Sequence, residues 1–199
     1  MTKNLMIVGV GGQGTLLASR LLGSVVLSAG YDVKVSEVHG MSQRGGTVVT
    51  YVRYGDRVYS PVVEQGDADF ILAFELLEAA RFLPYLKKDG LLITNTQQIA
   101  PMPVVTGQMA YPEHLVEKLE AQANLLKVDA LSLAKEAGNP KSLNIVMMGL
   151  LSTRMPFSEE EWLSALRTVV KPQHLSVNEA AFLSGRALGL SSLPPESRI

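Results

Sequence analysis

The chain has 199 residues, with 18 Lys and Arg against 19 Asp and Glu, so its formal net charge is -1. That balance gives nucleic acid or an anionic membrane surface nothing electrostatic to hold. Hydrophobic residues make up 47% and charged residues 19%, enough apolar material for a sizeable core and too much for a mostly disordered chain. Cysteine is absent, which excludes disulfides, thiolate catalysis, and a Cys-ligated zinc or iron–sulfur cluster held by this chain's own side chains. No apolar run reaches the roughly 20 residues that span a bilayer, since Arg20 interrupts the longest candidate, and Leu5 to Val8 is too short for a signal-peptide core. A soluble, cytoplasmic protein is expected.

The chain opens on the apolar run Leu5 to Val8, which breaks into Gly9-Val10-Gly11-Gly12-Gln13-Gly14. Leu16, Leu17, Leu21, Leu22, Val25 and Val26 then recur at helical spacing. The pattern predicts strand, glycine turn, helix. A second strand over Asp32 to Val38 completes an expected βαβ unit. After the loop 40–46, Thr47 to Tyr54 and Arg57 to Val63 read as two strands of a hairpin turned by Gly55-Asp56. Phe70 to Phe74, Leu76 to Leu86 and Leu91 to Thr94 read as strand, helix and strand, with Lys88-Asp89-Gly90 as a turn. Pro101 and Pro103 mark a loop, 112–121 a helix, and Asn124 to Val128 the last strand. From Ala130 the pattern is helical, in segments 130–137, 142–153, 159–169 and 174–188, and Ser158 with Glu161 has capping-box spacing. The expected fold class is α/β, a Rossmann-like doubly wound, mostly parallel sheet with an inserted β-hairpin and a helical C-terminal part. One domain is expected over 1–190, with a poorly ordered tail over 191–199.

Gly9, Gly11 and Gly14 have the G-x-G-x-x-G spacing between a strand and a helix, where backbone N–H groups and the helix dipole can receive a phosphate. With Gly12 and Gln13 they form a candidate site, or they only permit a tight turn. Glu37, 26 residues after Gly11, stands where a carboxylate holds a ribose hydroxyl, or it simply ends a strand in solvent. The loop Gly40-Met41-Ser42-Gln43-Arg44-Gly45-Gly46 sets a guanidinium, a hydroxyl and an amide among glycines. Such a loop can fold around an anion or a partner's backbone, or remain a surface turn with a solvated Arg44. Both loops follow carboxyl ends of strands and are expected to converge on one crevice.

Other motifs are weaker. Arg44 stands where a nucleophile elbow needs Gly, which argues against a hydrolase. Gly66-Asp67-Ala68 with a later Asn95 superficially matches the metal signature of thiamine diphosphate enzymes. Ala68 in place of Gly, and the apolar strand that follows, favour turn and capping roles for Asp67 and Asp69. His39, His114 and His174 are dispersed, so neither a metal site nor a triad is expected. The eight Met residues serve a core or an adaptable interface.

Gly9-Val10-Gly11-Gly12-Gln13-Gly14, Glu37-Val38-His39-Gly40-Met41-Ser42-Gln43-Arg44-Gly45-Gly46 and Asp67-Ala68-Asp69 leading to Ala73-Phe74-Glu75 together resemble the gamma-type subunit of 2-oxoacid:ferredoxin oxidoreductases. Gly138-Asn139, Asn144, Asn178 and Phe182 continue the similarity over nearly the whole chain. A separate, cysteine-free small chain fits the branch acting on indolepyruvate or another aryl pyruvate. The resemblance implies oxidative decarboxylation of a 2-oxoacid to an acyl-CoA, with electrons passed to ferredoxin. It implies a large catalytic partner carrying thiamine diphosphate, magnesium and iron–sulfur clusters, while this chain holds none of them and is inactive alone. Its expected contribution is to complete the partner's crevice and contact coenzyme A through Gly9, Gly11, Gly12, Gln13, Gly14, Glu37, Ser42, Gln43, Arg44, Gly45 and Gly46. Two other readings stay open: a stand-alone NAD(P)- or flavin-binding reductase, carried by the glycine fingerprint and Glu37, and a non-enzymatic assembly module whose loops bind only protein.

Overall fold

The computed structural model describes residues 2–39 and 46–193. In chain order its elements are β1 (Lys3–Val10), α1 (Thr15–Ser28), β2 (Asp32–His39), β3 (Thr47–Gly55), β4 (Ala68–Ala73), α2 (Leu76–Phe82) and β5 (Leu86–Asn95). There follow α3 (Met102–Val105), α4 (Leu115–Glu120), β6 (Asn124–Val128), α5 (Ala130–Glu136), α6 (Leu143–Ser152), α7 (Glu159–Val169) and α8 (Leu175–Ser191). Short 3-10 turns occupy Leu83–Tyr85, Pro140–Ser142 and Pro172–His174.

The strands form one six-stranded sheet in the order β2-β3-β1-β4-β5-β6. β1, β4, β5 and β6 run parallel, whereas β3 is antiparallel to both β1 and β2. β1 is central and covered on both faces, which is why Leu5 to Val8 is a continuous apolar run with every residue fully buried. Strand alternation divides the core: Leu5 and Ile7 pack with α1 and α5 to α8, and Met6 and Val8 pack with α2 and α4 on the opposite face. α6 is buried at every position. α8 crosses it so closely that a Cβ on Gly185 would lie 1.9 Å from the Val146 carbonyl oxygen. Met6, Met147, Met148 and Met155 belong to this core and so are no surface for a partner. The Ser158–Glu161 capping box forms as its spacing predicts.

Several segments depart from the sequence pattern. Arg57 to Val63 is not a strand, because β3 already spends both ladders on β1 and β2 and offers no edge. Side chains take that segment's backbone groups instead: Val58 N–H donates to Asp32 Oδ2 at 2.9 Å, and Arg53 Nη1 donates to the Ser60 and Val62 carbonyls at 3.1 Å. The hairpin that does form joins β2 to β3, so β3 lies between β1 and β2 and splits the expected βαβ unit. Lys88-Asp89-Gly90 lies inside β5, at a register shift against β4, where a Cβ on Gly90 would meet the Ala68 carbonyl oxygen at 2.9 Å. The helix expected to run to Leu86 stops at Phe82, just before Pro84. The helix expected over 112–121 shortens to α4. Of the expected tail, Ser191 ends α8 and 194–199 lie outside the described residues.

Candidate functional site

Between β1 and α1 the chain reverses through Gly11 to Gly14. Gly12 at φ 99° and Gly14 at φ 82° take the left-handed backbone that glycine adopts without steric cost. Gly9 answers to space, since a Cβ there would sit 2.8 Å from Gln13 Oε1 and 3.2 Å from Phe74 Cβ. Gln13 clamps the turn: Oε1 accepts the Val10 N–H and Nε2 donates to the Phe74 carbonyl, both at 2.9 Å. Asn95 Nδ2 donates to the same carbonyl at 3.1 Å, and Asn95 Oδ1 accepts the Ala130 N–H at 3.1 Å. Gln13 thus bridges the ends of β1 and β4, the switch point at which open α/β sheets usually admit a ligand, and Asn95 at the end of β5 ties the end of β4 to the start of α5. Gln13 therefore acts on the fold, with both ends of its amide spent there.

The open space lies on the other side of β1. It is a crevice of about 430 Å³ lined by Gly11, Gly12, Gly14, Thr15, Leu16, Glu37, His39 and Val48. The two glycine segments meet at its edge, where the Gly11 N–H donates to the Gly46 carbonyl at 2.9 Å. Ser42, Gln43, Arg44 and Gly45 lie outside the described residues. α1 points its N-terminus into the crevice without a side-chain cap. The first amide with a helical partner is that of Ala18, bound to the Gly14 carbonyl at 3.2 Å. Among the described residues the preceding amides of α1 take no partner, so they and the positive end of the helix dipole face the crevice as donors.

A resident carboxylate shares that space. Glu37 Oε2 accepts from Thr15 Oγ1 at 3.4 Å and from Thr50 Oγ1 at 3.1 Å, and Oε1 lies 3.7 Å from His39 Nδ1. The hydroxyls of Thr15 and Thr50 escape a sequence reading. Thr50 faces Glu37 only because β3 pairs with β2. The crevice so combines amide donors with a held carboxylate, which suits a ligand carrying both an anionic group and a hydroxyl or amine. It is not a dinucleotide site of the usual order, in which the second strand lies beside the first: here β3 intervenes.

A second polar cluster stands at the start of α2. Glu75, 1% exposed, accepts the Glu78 N–H at 2.9 Å, the Ile99 N–H at 3.0 Å and the Tyr111 hydroxyl at 2.7 Å. Burial and the bond to Glu75 push the Tyr111 hydroxyl above the usual phenol range. Glu78 is also buried; Thr47 Oγ1 and Arg81 Nε each donate to its Oε1 at 3.2 Å, while among the described residues its buried Oε2 has no partner. Burial raises its carboxyl above the ordinary value. The side chains of Asp67 and Asp69 do not take the expected turn and capping roles but staple β1: the Asn4 N–H donates to Asp69 Oδ2 at 2.8 Å, and Asn4 Nδ2 donates to Asp67 Oδ2 at 2.7 Å. Among the described residues no group of three or more His, Cys, Asp or Glu side chains could hold a metal ion, and no helix is long and apolar enough to cross a membrane.

The family model described as Pyruvate ferredoxin/flavodoxin oxidoreductase matches residues 4–188. Indolepyruvate oxidoreductase subunit IorB of Thermococcus kodakarensis is 46% identical over 189 residues, 92% of this chain and 93% of that protein. The subunit of the same name from Archaeoglobus fulgidus is 36% identical over 199 residues, 98% of each. The keto/oxoacid ferredoxin oxidoreductase gamma subunit from Geobacter sulfurreducens shares the fold with a TM-score of 0.71 at 21% identity, over 96% of this chain and 99% of that one. In 2-oxoglutarate:ferredoxin oxidoreductase from Magnetococcus marinus, 96% of this chain matches 32% of the other at TM-score 0.74 and 20% identity. The fold thus also occurs inside a much longer polypeptide. The motif resemblance and the near full-length matches agree: the chain belongs to the pyruvate ferredoxin/flavodoxin oxidoreductase family, as a subunit of an oxidoreductase.

Proposed function

We propose that this chain is the non-cluster-bearing subunit of a thiamine diphosphate-dependent 2-oxoacid:ferredoxin oxidoreductase. Its substrate is indolepyruvate or another aryl pyruvate, which is decarboxylated oxidatively to the acyl-CoA while ferredoxin takes the electrons. The observation that carries this reading is the 46% identity to an indolepyruvate oxidoreductase subunit over 92% of the chain. With no cysteine in the sequence, thiolate ligands for a cluster must come from another chain, a large catalytic partner. Asp67 and Asn95 are committed to Asn4, Phe74 and Ala130, so they do not fit the magnesium of thiamine diphosphate, which the proposal also assigns to the partner. The compartment proposed is the reducing cytoplasm.

The chain's own contribution is a contact to coenzyme A at the glycine-turn crevice. The amides at the start of α1, unpartnered among the described residues, suit a phosphate, but Glu37 brings a negative charge to the same space, so an anion there needs a compensating cation. Arg44 is the residue the proposal assigns to that task. The test is anaerobic reconstitution with the large partner, following ferredoxin reduction with indolepyruvate, phenylpyruvate, pyruvate and 2-oxoglutarate in turn. Preference for the aryl substrates and dependence on coenzyme A are expected; preference for pyruvate would overturn the substrate assignment. Arg44→Ala is expected to raise the KM for coenzyme A about tenfold, the loss of one charge-assisted contact. Unchanged kinetics and unchanged assembly would remove Arg44 from the site.

A further inference from the structure

From Thr96 to Pro112 the sequence has no Asp, Glu, Lys, Arg or His, although 19% of the chain is charged. This stretch leaves the sheet at the carboxyl end of β5 and leads towards α4. One buried carboxylate pins it at both ends: Glu75 Oε1 accepts the Ile99 N–H at 3.0 Å and the Tyr111 hydroxyl at 2.7 Å. The backbone between those two points is bonded within itself. α3 turns it, Gly107 takes φ 74°, and the Gln108 and Met109 N–H groups both donate to the Pro103 carbonyl, at 2.8 Å and 3.1 Å. A loop closed at its base in this way is of the Ω type, which is frequent at functional surfaces.

The loop turns apolar side chains outward. Met102, Val105 and Met109 are 66%, 64% and 66% exposed, and among the described residues Tyr59 alone is a more exposed large hydrophobic. Met6, Met147, Met148 and Met155 fill the core, whereas Met102 and Met109 stand in water. Flexible, polarizable methionine in a patch without charge is the composition of an interface centre.

We infer that the loop 99–111 docks the large catalytic partner, an inference that rests on the proposed subunit function. The area selects this occupant over a second copy of the chain. The three side chains offer on the order of 300 Å² of apolar surface, so two copies meeting loop to loop bury about 600 Å², half of the minimum for a stable dimer. A larger partner makes up the difference by reaching along the carboxyl edge of the sheet. Glu75 follows Phe74, whose carbonyl accepts from Gln13 of the glycine turn, so the base of the loop adjoins that turn. The same fold also makes up only 32% of a longer polypeptide, so it accommodates a larger structure alongside it.

The test is anaerobic calorimetric titration of the full 199-residue chain with the purified large partner, with Tm measured on each variant. Met102→Glu, Val105→Asp and Met109→Glu should each weaken partner binding about tenfold or more at unchanged Tm. Leu27→Glu, at a site 59% exposed on α1, is the control and should leave the dissociation constant unchanged. Full affinity in the loop variants, or equal weakening by Leu27→Glu, would overturn the docking surface while leaving the subunit reading intact. Size-exclusion chromatography of the chain alone gives the other arm: a dimer that the loop variants dissociate would assign the patch to a second copy and overturn the inference. A wild-type chain that binds no large partner would overturn the subunit reading itself and the inference with it.

Discussion

Replacing Gly14 with Ala is expected to destabilise the chain by about 2–3 kcal/mol, the sum of a backbone and a steric cost. Gly14 has φ 82°, where an L side chain costs about 1–2 kcal/mol. A Cβ there would lie 2.5 Å from Asn144 Nδ2 and 3.1 Å from Asn144 Cγ. Asn144 is 2% exposed and donates to the Gly14 carbonyl at 3.0 Å, so moving aside forfeits a buried bond worth about 1 kcal/mol. Gly12 is the internal control: its φ is 99° but a Cβ would meet nothing within 4 Å, so Gly12→Ala carries only the backbone cost of about 1–2 kcal/mol. Thermal and urea unfolding followed by circular dichroism reads both. At about 2–4 °C per kcal/mol for a chain of this size, Gly14→Ala should lower Tm by about 4–12 °C and Gly12→Ala by about 2–8 °C. Asn144→Ala opens the space, so the double variant should cost less than the two singles added. Equal costs at Gly12 and Gly14, or an additive double variant, would refute the reasoning.

Gly185→Ala sets a methyl against the Val146 backbone 1.9 Å away, which no rotamer relieves. It should cost about 3 kcal/mol or more in urea unfolding, and a loss under about 1 kcal/mol would mean that α6 and α8 do not touch as described. Gln13→Ala strands the Val10 N–H, while the Phe74 carbonyl keeps Asn95 Nδ2, with an expected loss of about 1–3 kcal/mol; wild-type stability would show that the clamp is dispensable. Glu78 gives a pH dependence. Burial raises its carboxyl above the ordinary 4.5, so the folded chain holds that proton more tightly than the unfolded one. Its contribution is complete below the ordinary value and is lost as pH rises through the raised one. Glu78→Gln should therefore gain Tm relative to wild type on going from about pH 4.5 to about pH 8, and a constant difference would contradict that assignment.

What the sequence makes legible here is local, and what it hides is pairing. The run Leu5 to Val8, the glycines after it and the helical spacing from Leu16 to Val26 each carry their own element type, and β1, the turn and α1 follow them. Thr47 to Tyr54 has the composition of a strand whichever strands flank it. Only the folded sheet shows that β3 takes β1 on one side and β2 on the other, and that single non-local choice leaves Arg57 to Val63 without an edge. The same choice sets Thr50 opposite Glu37, so the hydroxyl that holds the carboxylate is invisible before the pairing is known. Gln13 reads as a ligand-facing residue because it stands inside a glycine fingerprint. Its contact with Phe74, 61 positions away, turns it into a clamp. Glu78 carries no signal in the sequence, and only the fold shows it buried, with Thr47 of β3 and Arg81 of its own helix donating to it.

The central claim is that this chain works as one subunit of a larger 2-oxoacid oxidoreductase. Affinity purification of the tagged chain from its native host under anaerobic conditions, with a visible spectrum and identification of what co-purifies, tests it most directly. The account predicts a stoichiometric large partner, brown iron–sulfur absorbance, and ferredoxin reduction that depends on a 2-oxoacid and coenzyme A. A colourless chain purified alone, binding NAD or FMN with a micromolar dissociation constant, would contradict it.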